Sequence, residues 1–188
     1  MPRRSQEGGP EVLKLDCLFN ILGGVFFMII ALLAQIHPPT ENEKQPQPGN
    51  IVASIAWPEG AADVDLWVSG PDGKGIGYSN KSGAVWSLLR DDLGASGDST
   101  PLNYENAFTR GIPDGEYGVN VRCYVCGAQL PVSVVVEVRI VGGPLIWTGA
   151  VELVADKQER TAIRWKMAGG RMVTGSESFI FKNMRGEG

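Results

Sequence analysis

An apolar stretch near the N-terminus constrains this chain more than any other feature. Residues 17–34 read CLFNILGGVFFMIIALLA, in which Asn20 is the one polar side chain. A helix of that length is about 27 Å long, close to the thickness of the hydrocarbon core of a bilayer. Pro10 suits the first turn of a helix, and Pro38 cannot continue one. The sequence therefore predicts a transmembrane helix over residues 10–37.

The positive charges on either side of this stretch predict its orientation. Arg3, Arg4 and Lys14 precede it, whereas only Lys44 follows it closely. Because Lys and Arg concentrate on the cytoplasmic side of membrane helices, residues 1–9 are expected to form a cytoplasmic N-terminal tail. The protein would then lie in a bacterial inner membrane, with its C-terminal domain in the periplasm.

A cleaved signal peptide is the competing interpretation of the same stretch. Cleavage after Ala34 would put Leu32 at a position where a small residue is required. Asp16 and Asn20 also interrupt the apolar region that such a peptide needs. These three features favour a retained helix.

One face of the predicted helix is polar at its start and small further on. Asp16, Asn20, Gly23 and Phe27 follow one another at steps of three or four residues and so share a face, with Gly24 beside it. A carboxylate in hydrocarbon costs about 2.5 to 3.5 kcal/mol, so it usually faces protein or water and commonly belongs to an ion path. Small residues such as the two glycines let another helix approach closely. The alternative is that Asp16 only reaches the cytoplasmic headgroups.

The segment LDCLFNILGGVFFMIIALL resembles the transmembrane helix of the MotB, ExbD and TolR group. Asp16, Asn20 and Gly23 match the Asp-x-x-x-Asn-x-x-Gly pattern of ExbD-like members, although the proline that often precedes their Asp is missing. The resemblance implies a homodimer inside a pentamer of a MotA-, ExbB- or TolQ-like multi-pass protein. It also implies that Asp16 carries the driving proton or sodium ion, and that Asn20, Gly23, Gly24 and Phe27 serve the ion path or helix packing.

The rest of the chain predicts a spacer and one β-sandwich domain. Residues 38–50 are polar and proline-rich, which is typical of an extended linker. Over residues 51–188, β-type runs alternate with Gly, Pro and Asp turns, without helical periodicity. The expected fold is thus a single transmembrane helix plus an all-β sandwich. Eight strands are predicted, at Ile51–Trp57, Asp63–Ser69, Gly75–Ser79, Glu116–Tyr124, Val132–Val141, Leu145–Val154, Arg160–Met167 and Ser178–Lys182.

Period-two alternation and turn residues predict the core and the connections of this domain. Alternation indicates three core faces: Tyr117, Val119, Val121 and Cys123; Val132, Val134, Val136, Val138 and Ile140; and Thr161, Ile163, Trp165 and Met167. Ile112–Gly115 would form a turn, and Val125–Leu130 would close a hairpin. The glycine-rich GKGIG at 73–77 lacks the Gly-Lys-Ser/Thr ending of a phosphate loop and is expected to be a hairpin turn.

Three segments of this domain resemble a poorly characterised bacterial β-sandwich domain with an Asp-x-Asp-Leu-Trp-Val signature. They are DVDLWVSGPDGKGIGYSNKSG, LLRDDLG and IPDGEYGVNVRCY. The resemblance supports the predicted fold and implies no established activity.

Four aspartates are candidate calcium ligands. Asp63 and Asp65 lie on the same side of their predicted strand, and Asp91 and Asp92 follow in a loop. Calcium prefers hard oxygen ligands gathered from loops, but the chain has no twelve-residue loop with acidic residues at the required intervals. The alternative is that these aspartates bond their own backbone, as turn aspartates usually do.

Cys123 and Cys126 form a Cys-x-x-Cys pair in the domain expected in the periplasm, where oxidation is permitted. A disulfide and two buried thiols are the leading alternatives. A zinc site is disfavoured because no second pair and no nearby histidine completes four ligands.

Composition excludes two classes of function and leaves two. The net charge of −4 and the lack of a basic cluster beyond Arg3 and Arg4 argue against nucleic-acid binding. The only histidine, His37, lies at the end of the apolar helix, so Ser-His-Asp catalysis in the domain is excluded and no enzyme or cofactor is predicted. What remains is an ion-driven motor subunit acting on an unknown periplasmic or envelope target, or a membrane-anchored module that binds glycan or protein without ion transport.

Overall fold

The computed structural model describes residues 10–36, 50–94 and 102–185. The chain divides into two compact units, residues 1–45 and residues 46–188. The predicted tail at residues 1–9, His37 and all of the predicted linker except Asn50 lie outside the described residues.

The first unit contains one long helix, α1 (Pro10–Ile36). It begins at the proline that the sequence placed in its first turn. Residues Val12–Leu32 have a mean hydropathy of 2.2, which is sufficient for a membrane span by length and composition. The predicted apolar helix is thus confirmed, and an N-terminal signal sequence would have the same two properties.

The second unit is β-rich. Ten strands lie in its described residues: β1 (Ile51–Trp57), β2 (Asp63–Ser69), β3 (Gly75–Ile76), β4 (Trp86–Arg90), β5 (Asn103–Thr109), β6 (Gly115–Val125), β7 (Val132–Ile140), β8 (Leu145–Leu153), β9 (Glu159–Ala168) and β10 (Arg171–Met172). They form two antiparallel sheets, which we call sheet A, with the order β4-β5-β1-β7-β8, and sheet B, with the order β10-β9-β6-β2-β3. The arrangement is sandwich-like, because side chains of both sheets enter one hydrophobic core.

The core consists of the faces that alternation predicted. The predicted inward side chains of β6, β7 and β9 are buried, apart from Ile140, which is half-buried. Alternation with more exposed neighbours is clear on β7, whereas Asn120 and Arg122, between the inward positions of β6, are buried as well. Tyr117 stacks on Trp165 with ring centroids 5.5 Å apart and meets the edge of Trp86 at 6.3 Å. Its hydroxyl donates a hydrogen bond to the carbonyl of Pro113 at 2.7 Å, which fixes the predicted turn before β6.

The structure contradicts one predicted connection and one predicted strand. The segment Val125–Leu130 does not close a hairpin, because β6 belongs to sheet B and β7 to sheet A. A short 3-10 helix at Gly127–Gln129 leads the chain from one sheet to the other. The stretch Ser178–Lys182 is not a strand, since it pairs with β9 at a single bridge between Ser178 and Arg164.

The prediction that residues 73–77 form the hairpin turn is wrong, because Gly75 and Ile76 form β3, which is also shorter than the predicted strand Gly75–Ser79. Strand β3 ends at Ile76 and pairs with β2 at Val68 and Ser69 only. The turn itself spans Gly70–Gly73, where the N–H of Gly73 donates to the carbonyl of Gly70 at 2.9 Å. As a result, most of β2 has no strand partner on that side among the described residues.

Candidate functional site

Two groups of acidic side chains are candidates for function, one in each unit. In α1, Asn20 donates a hydrogen bond from Nδ2 to the backbone carbonyl of Asp16 at 3.0 Å, so the two residues lie one turn apart on the same face. The same spacing continues to Gly23, where an added Cβ would meet no heavy atom within 4 Å. Within the chain, the polar face of α1 therefore has free space around Gly23.

The second group is a cluster of carboxylates at the unpaired side of β2. It combines Asp65 from β2, Asp91 from the loop after β4, and Glu105 from β5. One carboxylate oxygen from each of these residues lies within 4.8 Å of the other two. The three side chains come from both sheets, so the sandwich-like packing of the domain creates the cluster.

Glu105 occupies the inner face of β5 and is 1% exposed. The N–H of Leu66 donates to its Oε2 at 2.7 Å, and the N–H of Asp92 donates to its Oε1 at 3.1 Å. Burial nevertheless raises the pKa of Glu105 well above its ordinary value, because these two bonds only partly oppose the cost of desolvation. Nothing in the sequence pattern indicates that this residue is buried, because the other inward positions of β5 are Asn103, Ala107 and Thr109.

Asp65 is 4% exposed, and its Oδ2 has no hydrogen-bond partner in the described structure. The nearest cation is Arg122, whose Nη1 lies 3.6 Å from that oxygen. Burial raises the pKa of Asp65 to about 7, with a further rise from Asp63 and an opposing effect of Arg122. Asp65 is thus a buried acid whose charge its surroundings only partly compensate.

Asp63 and Asp91 surround Asp65 from the more exposed side. Asp91 is half-buried and accepts a hydrogen bond from Lys81 at 2.8 Å. Burial and the charge of Asp91 raise the pKa of Asp63, against the influence of Lys157. The structure therefore places two of the four predicted aspartates, Asp65 and Asp91, in the cluster, with Asp63 near enough to interact electrostatically with both.

Asp92, the fourth predicted aspartate, has other partners. Its carboxylate accepts hydrogen bonds from the backbone N–H groups of Gly94 and Tyr104, both at 3.1 Å, and from Arg90 at 2.8 Å. It bonds the backbone at Gly94, after β4, and at Tyr104, in β5, as a turn aspartate does. Glu105 thus stands in the cluster where the sequence had suggested Asp92.

Cys123 and Cys126 are joined by a disulfide at the end of β6. The Oδ1 atom of Asp156 accepts hydrogen bonds from the N–H groups of Cys126 and Gly127, at 2.7 and 3.1 Å. These bonds lower the pKa of Asp156 and keep it ionised. Both sulphurs are bonded and the pair is buried, so this site holds the chain where it leaves sheet B.

Comparisons with protein-family models, with curated proteins and with solved structures give no match to this chain. What the chain can do therefore has to follow from its own side chains. The two features that carry chemistry are the carboxylate on the apolar helix and the buried carboxylate cluster of the β-rich unit.

Proposed function

We propose that this chain is the single-pass subunit of an ion-driven inner-membrane complex of the MotB, ExbD and TolR type. The observation that supports this proposal best is Asp16, a carboxylate within a helix whose span from Val12 to Leu32 is otherwise almost wholly apolar. Asn20 and Gly23 follow on the same face. Such a stripe suits contact with protein or water far better than contact with lipid.

The mechanism follows from the two protonation or ion-bound states of one side chain. When Asp16 binds a proton or sodium ion its net charge disappears, and with it most of the cost of facing an apolar neighbour. When the ion leaves, the charged form favours a polar partner surface. Ion flow down its gradient therefore biases the helix between two arrangements against the surrounding subunits.

In this proposal two copies of the chain lie inside a pentamer of a MotA-, ExbB- or TolQ-like multi-pass protein. The N-terminus is cytoplasmic, and the β-rich unit is a periplasmic β-sandwich that contacts an envelope target. Residues 38–50 connect the two. Gly23 and Gly24 provide the close approach between helices, and Phe27 continues the same face.

The test is the substitution Asp16→Asn in the full chain, purified from its native membrane together with its partners. We expect a multi-pass protein to co-purify with both the wild type and the variant, because the amide keeps the size of the carboxylate. Reconstituted in vesicles, the wild-type complex should conduct protons or sodium ions. In the variant this flux should be at least roughly tenfold lower, because an amide cannot exchange an ion.

Glu11→Gln is the matched control, because it removes a carboxylate that precedes the apolar span in the same helix. It should conduct as the wild type does. Unchanged flux in Asp16→Asn, or recovery of the chain without any multi-pass protein, would refute the proposal.

A membrane-anchored binding module without ion transport is the second candidate. It is favoured by three consecutive apolar side chains that remain exposed on the β-rich unit: Phe179 (58%), Ile180 (75%) and Phe181 (53%). An exposed apolar group of this kind is typical of a contact surface. This candidate predicts that Asp16→Asn changes neither assembly nor any cellular activity, whereas replacing Phe179 and Phe181 by Ser abolishes target binding.

A further inference from the structure

The carboxylate cluster of the β-rich unit has the chemistry of a cation site. Asp65, Asp91 and Glu105 each present an oxygen within 4.8 Å of the other two. Calcium binds protein oxygens at about 2.3 to 2.6 Å, so two ligands on opposite sides of one ion are separated by up to about 5 Å. Three oxygens at this spacing are close enough to share one calcium ion with small adjustments of their side chains.

A second observation, the absence of hydrogen bonds to two buried carboxylate oxygens in the described structure, also points to a ligand. Asp65 is more than nine-tenths buried, and its Oδ2 accepts no hydrogen bond in the described structure. The Oδ1 atom of Asp63, two residues earlier on β2, is likewise buried without a hydrogen bond. A buried carboxylate oxygen without a donor is costly, and coordination of a metal ion is one of the few arrangements that compensates it.

The cations already present leave this need unmet. Arg122 approaches Asp65 at 3.6 Å, beyond the distance of a good hydrogen bond. Lys81 bonds Asp91 from the solvent side, with more than half of its own side chain exposed. Lys157 lowers the pKa of Asp63 and Asp65 only through the long-range effect of its charge. Its ammonium group lies 3.7 Å from the ring centre of Tyr124.

We propose that Asp65, Asp91 and Glu105 bind one calcium ion, with Asp63 as an additional carboxylate at the same site. Glu105 is the anchor of the set, because two backbone N–H groups hold it in place while each of its oxygens keeps a lone pair for the metal. Magnesium fits less well, since its bonds of about 2.0 to 2.1 Å require closer ligands in octahedral geometry.

The position of the site defines what the ion does for the domain. Asp65 belongs to sheet B, whereas Glu105 belongs to sheet A and Asp91 to the connection between β4 and β5. The ion therefore links the two sheets beside the part of β2 that does not pair with β3. Calcium binding should therefore stabilise the β-rich unit as a whole.

The test is thermal unfolding of the full chain in detergent, followed by near-ultraviolet circular dichroism, with a chelator, with calcium alone or with magnesium alone. Ligands that bind only the folded state raise Tm by mass action. We expect a rise of roughly 5 to 10 °C at a hundredfold excess of calcium over its Kd. Magnesium should give a clearly smaller rise.

Two variants and one control separate a bound ion from a general effect of salt. In Asp65→Asn calcium should add nothing to the Tm measured in chelator, because the variant lacks the carboxylate that sheet B contributes to the site. Asp91→Asn, at the more exposed edge of the cluster, should bind calcium at least roughly tenfold more weakly. Asp72→Asn, in the exposed β2–β3 turn, should respond as the wild type does.

Three outcomes would overturn the proposal. One is a wild-type chain whose Tm is the same in millimolar calcium and in chelator. Another is a full calcium response in both Asp65→Asn and Asp91→Asn. The third, an equal response to magnesium, would overturn the assignment of calcium.

Discussion

At the scale of single residues, two buried polar side chains each hold a piece of backbone outside their own strand. Glu105 accepts hydrogen bonds from the N–H groups of Leu66 and Asp92, and so ties β5 to β2 and to the loop after β4. Tyr117 donates its hydroxyl hydrogen to the carbonyl of Pro113 while its ring packs in the core. A tyrosine that closes the approach to its own strand in this way is a recurrent feature of β-sandwich folds.

The substitution Tyr117→Phe tests this bond. It keeps the ring but leaves the Pro113 carbonyl without its donor, so we expect a loss of about 1 to 3 kcal/mol in the free energy of unfolding. Urea denaturation of the full chain in detergent measures the change. Tyr104→Phe, on the half-buried outer face of β5, is the control and should change stability by less than about 0.5 kcal/mol. Equal stability of both variants would contradict the structural role of the Tyr117 hydroxyl.

At the scale of elements, the C-terminal segment is held mainly by polar contacts. Glu116 accepts hydrogen bonds from Arg164 at 2.8 Å and from Lys182 at 2.6 Å. Asn120 donates to the carbonyl of Lys182 at 2.9 Å. The segment from Ser178 to Lys182 therefore lies along sheet B without joining it as a strand.

This arrangement predicts a dependence on pH. The hydrogen bonds from Arg164 and Lys182 lower the pKa of Glu116 below its ordinary value of 4.5. Because the pKa is lowered in the folded state, these contacts contribute stability above pH 4.5 and lose it as the pH falls through the lowered value. Amide hydrogen exchange of the segment, corrected for intrinsic rates, should accelerate on acidification in the wild type. In Glu116→Gln it should be fast at neutral pH already, and a protected segment in that variant would contradict the prediction.

Sequence patterns predicted the long strands whose inward positions are apolar and missed the short strand β4, the polar strand β5 and the two-residue strand β10. Strands β1 and β2 were predicted at their observed bounds, and β6 to β9 to within one residue at each end. Strand β5 buries Asn103, Glu105 and Thr109, so its alternation carries no hydrophobic signal. The sheet to which a strand belongs depends on pairing between distant segments, which explains why the β6–β7 connection was mistaken for a hairpin.

The candidate sites were predictable to a similar extent. Asp16 and its face follow directly from helical spacing in an apolar run, and two members of the carboxylate cluster, Asp65 and Asp91, follow from their Asp-rich segments. The pairing of Asp65 with Glu105 does not, because it arises only when the two sheets pack and bring residues 40 positions apart into contact. Asp92 does not join its neighbour Asp91 in the cluster, because its carboxylate accepts hydrogen bonds from the backbone of Gly94 and Tyr104. Sequence alone does not reveal these bonds.

At the scale of the whole molecule, the chain combines an apolar helix with a β-rich unit that has its own hydrophobic core. The described side chains of α1 are exposed within the chain. A helix of this kind needs lipid or other helices around it. The proposed assembly assigns Gly23 to a contact with a neighbouring helix.

Enlarging Gly23 tests that assignment. In Gly23→Leu the new side chain meets no atom of the chain itself, so a lone helix should insert normally. In the proposed complex it would block the close approach, and we expect recovery of the multi-pass partner to fall at least roughly fivefold. Blue native electrophoresis of membrane extracts measures this. Val25→Leu, about 200° around the helix, should leave assembly unchanged, and an intact complex in Gly23→Leu would exclude a tight contact at this position.

The place of β1 in its sheet has a mechanical consequence. It is the first strand after residue 50, and it lies in the middle of sheet A, with β5 on one side and β7 on the other. A pull that arrives along the backbone from residue 50 therefore acts on a strand clamped by two ladders of hydrogen bonds. Separating β1 from its sheet requires both ladders to break and the core around Ile51 and Ile55 to open. The domain is therefore attached to the preceding residues through a strand that resists mechanical extraction.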